Sequence, residues 1–305
     1  MNFLNLFRWK NLLMIAVAQL LIKYSLLEPF GANTALDGFE ITLLILATIC
    51  IAGAGNVIND IYDIETDAVN KPDKVIVGKS ISVATAYNLF IALNVIGVGL
   101  GFYLSSRIGK PAYFSIFVVI SALLYMYASY LKRFLIIGNV AVSVLVALSI
   151  LIVGLFELTP NISALNRDLQ LTYFKIVLDY GLFAFAINLL REVAKDIEDI
   201  DGDYKAAMHT LPIAIGRERS INLLTVLNFL ILFGITFYVI SDLYKYPVMV
   251  GYFLLFIIGP LIYVSIKLFC AKAKKDATLI SNLYKWIMFF GILSLLLYKY
   301  VLLKG

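Results

Sequence analysis

Long hydrophobic stretches recur along the chain and are separated by short polar segments. Nine of them approach 20 residues, the length that an α-helix needs to cross the hydrocarbon core of a bilayer. The pattern predicts an all-α, polytopic membrane protein with nine transmembrane helices. The predicted spans are roughly 11–30, 40–58, 81–104, 112–131, 136–156, 171–190, 219–241, 247–269 and 283–303.

The amino-acid composition also indicates a membrane protein. Of the 305 residues, 62% are hydrophobic and 15% are charged, and the mean hydropathy is +0.92. Soluble domains are about half apolar and about a quarter charged. The stretch 11–30 has no small-residue cleavage site and is interpreted as a retained span. No linker or low-complexity run interrupts the pattern, so we predict a single domain over 1–305.

The basic residues indicate orientation. With the N-terminus in the cytoplasm and nine alternating spans, 17 of the 25 lysines and arginines fall on the cytoplasmic side. The positive-inside rule favours this arrangement, which also places the C-terminus outside. The net charge of +5 is therefore a mark of topology and not of nucleic-acid binding. We predict an integral protein of the cell (inner) membrane, in contact with membrane lipid.

An acidic pattern occurs twice, both times on the predicted cytoplasmic side. The octets DIYDIETD at 60–67 and DIEDIDGD at 196–203 agree at five of eight positions. Spacings of three and four place the three aspartates of each octet within an arc of about 60° on a helix. A single acidic run is usually a solvated helix end, but a matched pair on one side favours a site. The aspartates are Asp60, Asp63, Asp67, Asp196, Asp199 and Asp203.

Crowded carboxylates need a positive partner, because like charges raise one another's pKa. Magnesium prefers oxygen ligands and is commonly held by one or two carboxylates together with substrate phosphate oxygens. Two such faces, opposed across a bundle, would bind Mg²⁺ and a diphosphate. We predict that all six aspartates and Asn59 are metal ligands, that Asn56 contacts the diphosphate, and that Asp63 and Asp199 are catalytic.

Basic residues near the two octets could neutralise a diphosphate leaving group. Lys132 and Arg133 are favoured as catalytic, because a tyrosine lies five residues before the lysine at the predicted membrane edge. Taken singly, each basic residue could serve topology alone. Lys23, inside the first span, is expected to snorkel. The predicted diphosphate contacts besides Asn56 are Lys71, Tyr127, Lys132, Arg133, Arg191 and Lys195.

At these residues the chain resembles the UbiA superfamily of intramembrane prenyltransferases. Its first motif, NDxxDxxxD, matches residues 59–67, and the second matches 196–203. The likeness extends to NKPD at 70–73, YLKR at 130–133, GN at 138–139 and TLPIAIG at 210–216. The resemblance implies a helical bundle around a central cavity. It also implies a Mg²⁺-dependent transfer of a prenyl group from an allylic diphosphate to a lipophilic acceptor, through a carbocation-like transition state.

Within the superfamily, both acidic segments look most like the digeranylgeranylglyceryl-phosphate synthase branch, which implies a geranylgeranyl donor and an isoprenoid glycerol phosphate acceptor. One departure is Lys74, where many members have arginine. Aromatic-acceptor enzymes of quinone or chlorophyll-type biosynthesis are the alternative. An ion-coupled transporter is more remote, because its acidic residues usually lie near the bilayer midplane. A CDP-alcohol phosphotransferase would need DxxDGxxAR, and neither octet supplies the Ala-Arg.

Overall fold

The computed structural model describes residues 2–271 and 273–302. Within them, nine helical segments are long and apolar enough to span a membrane, which confirms the predicted number and the all-α class. Each strand of the described chain has only two residues. The spanning segments are Trp9–Phe30, Gly38–Tyr62, Val83–Arg107, Pro111–Ser129, Ile137–Asn161, Arg167–Lys205, Arg217–Asp242, Pro247–Cys270 and Lys274–Val301.

The chain divides into two compact units. Unit 1 comprises the described residues of Met1–Lys132 and Leu148–Val177, and unit 2 those of Arg133–Ala147 and Leu178–Gly305. The α-helices are α1 (Asn2–Leu6), α2 (Trp9–Leu21), α3 (Gly38–Tyr62), α4 (Ile64–Asn70), α5 (Val83–Arg107), α6 (Phe114–Ser129), α7 (Ile137–Leu158), α8 (Arg167–Lys205), α9 (Leu211–Ile215), α10 (Arg217–Asp242), α11 (Pro247–Phe253), α12 (Gly259–Cys270), α13 (Lys274–Leu293) and α14 (Leu295–Leu297).

Shorter helical turns complete the structure. Six-residue and five-residue π-helical segments interrupt or extend α-helices, and 3₁₀ turns connect several of them. The π-helical segments are Ile22–Leu27, Leu254–Ile258 and Tyr298–Leu302. The 3₁₀ turns are Glu28–Phe30, Pro72–Lys74, Pro111–Tyr113, Leu131–Arg133 and Thr159–Asn161.

Helix α3 is the central element of unit 1 and packs against α2, α5 and α6. Gly55 permits the close approach of α6, because a Cβ at this position would lie 2.6 Å from Leu124 Cδ2. A buried apolar cluster lies beside the end of α3 and includes Leu6, Val57 and Val77. Val77 belongs to the loop that departs from the superfamily pattern, and its side chain is part of this buried cluster. The side chain of Lys74 lies outside the described residues.

The first acidic octet spans a break in the helix. Helix α3 ends at Tyr62, and Asp63 has φ −97° and ψ 5° before α4 begins. The spacing predicted one uninterrupted helix through the octet, and the structure shows a break at Asp63 instead. Hydrogen bonds from Asp63 N to Asn59 O and from Asp67 N to Asp63 O, 2.9 and 2.8 Å long, nevertheless bridge the break. The i, i+4 relation of these residues is kept.

Lys23 does not snorkel, in contrast to the prediction. Its side chain is 1% exposed, and its Nζ lies 2.8 Å from Oε1 of Glu157, which is fully buried. The Nζ also donates to Leu36 O at 2.6 Å, and Leu36 N donates to Glu157 Oε2 at 3.1 Å. The partner of Lys23 is 134 residues away in the sequence, which is why the sequence did not reveal it.

Unit 2 contains most of α8, which has 39 residues and runs without interruption through the second octet. The prediction ended this span near residue 190, because the charged octet lowers the hydropathy there. Elsewhere in the unit, α12 packs against α10 and α13. Strands β1 (Phe134–Leu135) and β2 (His209–Thr210) form a parallel pair. This pair joins the loop before α7 to the loop that follows α8.

Candidate active site

In unit 1, two aspartates of the first octet each carry a basic partner. Arg8 Nη2 lies 2.8 Å from Asp60 Oδ1, and Lys132 Nζ lies 2.6 Å from Asp63 Oδ1. The aspartate side chains are 16% and 18% exposed, and Lys132 is 8% exposed. The octet is therefore a partly buried cluster of ion pairs and not a solvated helix end.

Asn59 and Thr66 orient the Asp63 carboxylate. Asn59 Nδ2 donates to Asp63 Oδ2 at 2.6 Å, and Thr66 Oγ1 donates to Asp63 Oδ1 at 3.1 Å. The remaining amide oxygen of Asn59 is buried and accepts no hydrogen bond within the described part of the chain. A buried acceptor without a donor is costly, and a bound cation would satisfy it.

Asp67 shows the crowding of negative charge. Burial of its carboxyl, together with the nearby charges of Asp63 and Asp60, raises its pKa to about 6. Lys71 lies close enough to act on Asp67 in the opposite direction. The sequence predicted such a rise for carboxylates that share one region.

These residues fit a hard divalent cation. They supply carboxylate oxygens and one unsatisfied amide oxygen, which is the donor set that Mg²⁺ prefers. Over residues 2–271 and 273–302, no three His, Cys, Asp or Glu side chains converge as a complete metal cage. Mg²⁺ commonly takes only one or two carboxylates and completes its shell with water and phosphate oxygens. The open arrangement suits that mode.

Two other predicted residues of unit 1 lie near the cluster. Asn56 Nδ2 donates to Phe7 O at 3.0 Å, so this side chain fixes the segment before α2. Tyr127, on α6, is half-buried and interacts electrostatically with Arg8. The structure thus gives Asn56 a structural contact in addition to its predicted role.

In unit 2, the second octet lies on the last turns of α8. Asp196 Oδ2 accepts a 2.7 Å hydrogen bond from Asn139 Nδ2, and Asp203 Oδ2 accepts a long one of 3.4 Å from Thr210 Oγ1. Asp203 is buried, whereas Asp199 is half-buried. The donors come from GN at 138–139 and TLPIAIG at 210–216, two segments that carried the superfamily resemblance.

One glutamate pairs with the two basic residues that precede the second octet. Glu192 Oε1 lies 3.0 Å from Arg191 Nη1, and its Oε2 lies 2.8 Å from Lys195 Nζ. Arg191 Nε is buried and donates to no described residue. Arg133, by contrast, is exposed.

Three contributors were missing from the sequence prediction. Arg8 was counted only as a topology residue, and nothing in the local sequence ties it to Asp60. Glu192 was passed over because it lies outside the repeated octet. Asn139 was quoted within the resemblance but not assigned, although its place in GN was the one available signal.

Comparison with known proteins identifies the family. The model of the UbiA prenyltransferase family matches residues 30–293. A digeranylgeranylglyceryl phosphate synthase from Methanococcoides burtonii is 31% identical over 297 residues, covering 96% of this chain and 98% of that protein. The enzyme of the same name from Methanosphaera stadtmanae is 33% identical over 225 residues, covering 72% and 74%.

Solved structures share the fold. A structure from a study of digeranylgeranylglyceryl phosphate synthase in membranes matches with a TM-score of 0.64 at 24% identity, covering 98% of both chains. A UbiA homolog from Archaeoglobus fulgidus bound to GPP and Mg²⁺ matches with a TM-score of 0.59 at 14% identity, covering 97% of this chain and 99% of that one. The predicted resemblance is confirmed: the chain is an integral membrane protein and belongs to the UbiA prenyltransferase family.

Proposed function

We propose that the protein transfers a geranylgeranyl group from its allylic diphosphate to the free hydroxyl of an isoprenoid glycerol phosphate, in a Mg²⁺-dependent reaction. The donor and acceptor follow from full-length relatives named digeranylgeranylglyceryl phosphate synthase. A UbiA homolog of the same fold binds GPP and Mg²⁺. The observation that carries the chemistry is the half-buried Asp60–Asp63–Asp67 cluster, with a buried lysine at 2.6 Å from its central carboxylate.

In this proposal the carbon–oxygen bond of the allylic diphosphate breaks, and the diphosphate leaves with the bonding electrons. The acceptor hydroxyl oxygen forms the new bond to the prenyl carbon and loses its proton. Mg²⁺, when bound, supplies positive charge to the departing diphosphate. Lys132 and Arg133 add charge that stabilises the leaving group more than the intact substrate, and only such differential binding speeds the reaction.

The second octet has the same role in the proposal. Asp196, Asp199 and Asp203 are metal ligands, and Asn139 orients the first of them. Arg191 and Lys195 bind diphosphate, with Glu192 fixing their side chains between turnovers. The buried Nε of Arg191, which has no acceptor among the described residues, supports this assignment, because an anion would satisfy it.

The orientation is also proposed. The N-terminus and both octets face the cytoplasm of the cell membrane, as the distribution of lysine and arginine favours. In a variant without Cys50 and Cys270, single cysteines at exposed Lys79 and Leu165 would be offered a membrane-impermeant maleimide in whole cells. Labelling at residue 165 only is expected, and labelling at residue 79 only would reverse the orientation.

Product mass tests the reaction. Purified protein would receive labelled prenyl diphosphates of several lengths, with isoprenoid glycerol phosphate, hydroxybenzoate and dihydroxynaphthoate offered in parallel. We expect a geranylgeranylated glycerol ether as the main product. A prenylated aromatic product would instead show that the protein is an aromatic-acceptor prenyltransferase. Mg²⁺-independent ion transport without any prenylated product would favour a transporter.

Matched variants test the metal assignment. Asp63→Asn and Asp199→Asn should each lower turnover by a factor of about 10³ or more, as expected when a group that stabilises the transition state is lost. Glu65→Gln and Asp201→Asn alter exposed acids within the same octets and should retain activity. Near-wild-type turnover in either asparagine variant would remove that octet from the metal site.

A further inference from the structure

The chain before α2 forms a strap across the first octet. This N-terminal strap, residues 2–8, is fixed at two points. Leu6 is fully buried in the apolar cluster beside Val57 and Ile58, and Phe7 O accepts the hydrogen bond from Asn56 described above. The strap is therefore a packed part of unit 1, and it delivers Arg8 to the octet.

The backbone of Arg8 is in an unusual conformation. Its φ of 52° and ψ of 50° are left-handed, a region that residues with a Cβ seldom adopt. Arg8 N donates to Asn5 O, and Asn11 N donates to Arg8 O, at 2.9 and 2.8 Å. Strained residues of this kind cluster at functional sites, where the surrounding structure holds them. The reversal between α1 and α2 directs the guanidinium toward Asp60.

The guanidinium uses little of its capacity there. The structure gives the Arg8 side chain one hydrogen bond with the described residues, from Nη2 to Asp60 Oδ1. Arginine has five N–H donors arranged to match phosphate oxygens in pairs. Arg8 is 38% exposed and lies within electrostatic range of Asp63 and Tyr127. The donors that remain are available to an anion at the octet.

Arg8 and a divalent cation compete for the same negative charge. The guanidinium neutralises Asp60 when no metal is bound, and a cation that binds Asp60 takes over that function. We propose that Arg8 is a phosphate-binding residue of the site. Its guanidinium pairs with Asp60 until Mg²⁺ binds the Asp60 carboxylate, and it then binds the substrate diphosphate. This inference rests on the proposed Mg²⁺–diphosphate site but not on the identity of the acceptor.

The exchange predicts opposite effects on two ligands. In Arg8→Ala, MgCl₂ alone should bind about two- to fivefold more tightly, because it no longer competes with a partly exposed ion pair. Inorganic pyrophosphate at saturating Mg²⁺ should bind about 10- to 100-fold more weakly, because a charge-assisted hydrogen bond is lost. Titration calorimetry of the full chain in detergent would measure both affinities. Arg8→Lys should recover part of the pyrophosphate affinity only.

Lys10→Ala is the matched control, since it removes an exposed charge two residues away. Neither affinity should change in this variant. If Arg8→Ala cannot be purified folded, Arg8→Gln removes the charge and keeps most of the side-chain length. Weaker binding of both ligands, or no change in either, would overturn the proposal. A wild-type protein that binds neither ligand would instead contradict the proposed function.

Trp9, next to Arg8, gives an optical measurement independent of turnover. The chain has two tryptophans, so Trp286→Phe leaves Trp9 as the single reporter. Mg²⁺ should shift the Trp9 emission in this protein, and the shift should disappear when Arg8→Ala is added. A shift of equal size with and without Arg8 would mean that movement of the Arg8 side chain does not cause the emission change, and the proposed exchange would be wrong.

Discussion

Two groups of charged side chains in unit 1 lie near opposite ends of α3 and are built differently. The groups are the acidic octet around Asp63 and the buried pair Lys23–Glu157, and the 25-residue helix between them is about 37 Å long. The pair is 1% and 0% exposed, and Leu36 satisfies further atoms of both partners. At the octet, Asp63 is 18% exposed, and Asn59 Oδ1 has no donor among the described residues.

The difference separates charge used for structure from charge available for binding. An ionisable residue inside a membrane protein is by default a candidate functional site. Lys23–Glu157 does not fit that default, because Leu36 O and Glu28 Oε1, at 2.6 and 3.3 Å from Lys23 Nζ, complete the contacts of the ammonium within the protein. The octet leaves oxygens and N–H donors unused, which is what a ligand-binding site requires.

The largest expected effect comes from breaking the closed pair. Glu157→Gln removes the buried carboxylate of Lys23 and leaves only Glu28, a 42% exposed side chain at 3.3 Å. The free energy of unfolding should fall by about 3 kcal/mol, at the lower end of the cost of breaking a buried ion pair. Thermal unfolding in detergent, followed by far-UV circular dichroism, would measure this loss. Turnover per folded molecule should stay within a factor of about two, and a large loss of turnover would show that the pair belongs to the site.

Lys132→Met should have the opposite profile. Loss of a charge that stabilises the leaving group should lower turnover by about 10²–10³. The melting temperature should fall less than in Glu157→Gln, because the Asp63 carboxylate that loses its partner is 18% exposed. Steady-state prenyl transfer would be compared with Lys79→Met, which alters an exposed lysine outside the octet. Equal activity in the two variants would remove Lys132 from the site.

Mg²⁺ should stabilise the protein through the proposed metal ligands of the octets and not through the buried pair. At a concentration 100 times its Kd, a ligand of the folded state adds about 2.7 kcal/mol of stability. The wild type and Glu157→Gln should gain equal stability when MgCl₂ is added, whereas Asp63→Asn should gain less, because one proposed ligand is lost. A gain in Asp63→Asn as large as in the wild type would place the ion elsewhere.

Removing both members of the pair sharpens the comparison. Lys23→Met combined with Glu157→Leu leaves no unpaired charge in the core, since Glu28 is 42% exposed, so it should destabilise less than the sum of the single changes. The coupling should be roughly 0.5–3 kcal/mol in a double-mutant cycle of unfolding free energies. Strict additivity would mean that the two charges do not depend on each other.

The smallest effect belongs to a partly exposed pair that links α5 to α3. Arg107 Nε lies 3.1 Å from Glu40 Oε1, and the arginine side chain is 58% exposed. Arg107→Ala should cost less than about 1 kcal/mol in the same unfolding assay, because solvent screens such pairs. A loss comparable to that in Glu157→Gln would show that exposure does not distinguish the two kinds of pair.

The sequence predicted what depends on length and period. Spans of about 20 apolar residues are visible in one dimension, and so is the repeated spacing of aspartates. Contacts between distant segments are not: Glu157 is 134 residues from Lys23, and Asp60 is 52 residues from Arg8. Local backbone geometry was also missed, since no nearby glycine or proline marks the break at Asp63. The metal and diphosphate roles of the octets remain predictions for the variants to test.

The uninterrupted length of α8 has a consequence for where chemistry can take place. Its 39 residues extend about 58 Å, well beyond the roughly 30 Å of hydrocarbon that a bilayer contains. The last turns, which carry the second octet, can therefore extend beyond the acyl region as a continuous α-helix. A polar headgroup could be processed at the aqueous boundary while its isoprenoid tail stays dissolved among lipid chains, so neither part of an amphiphile would have to leave its preferred solvent.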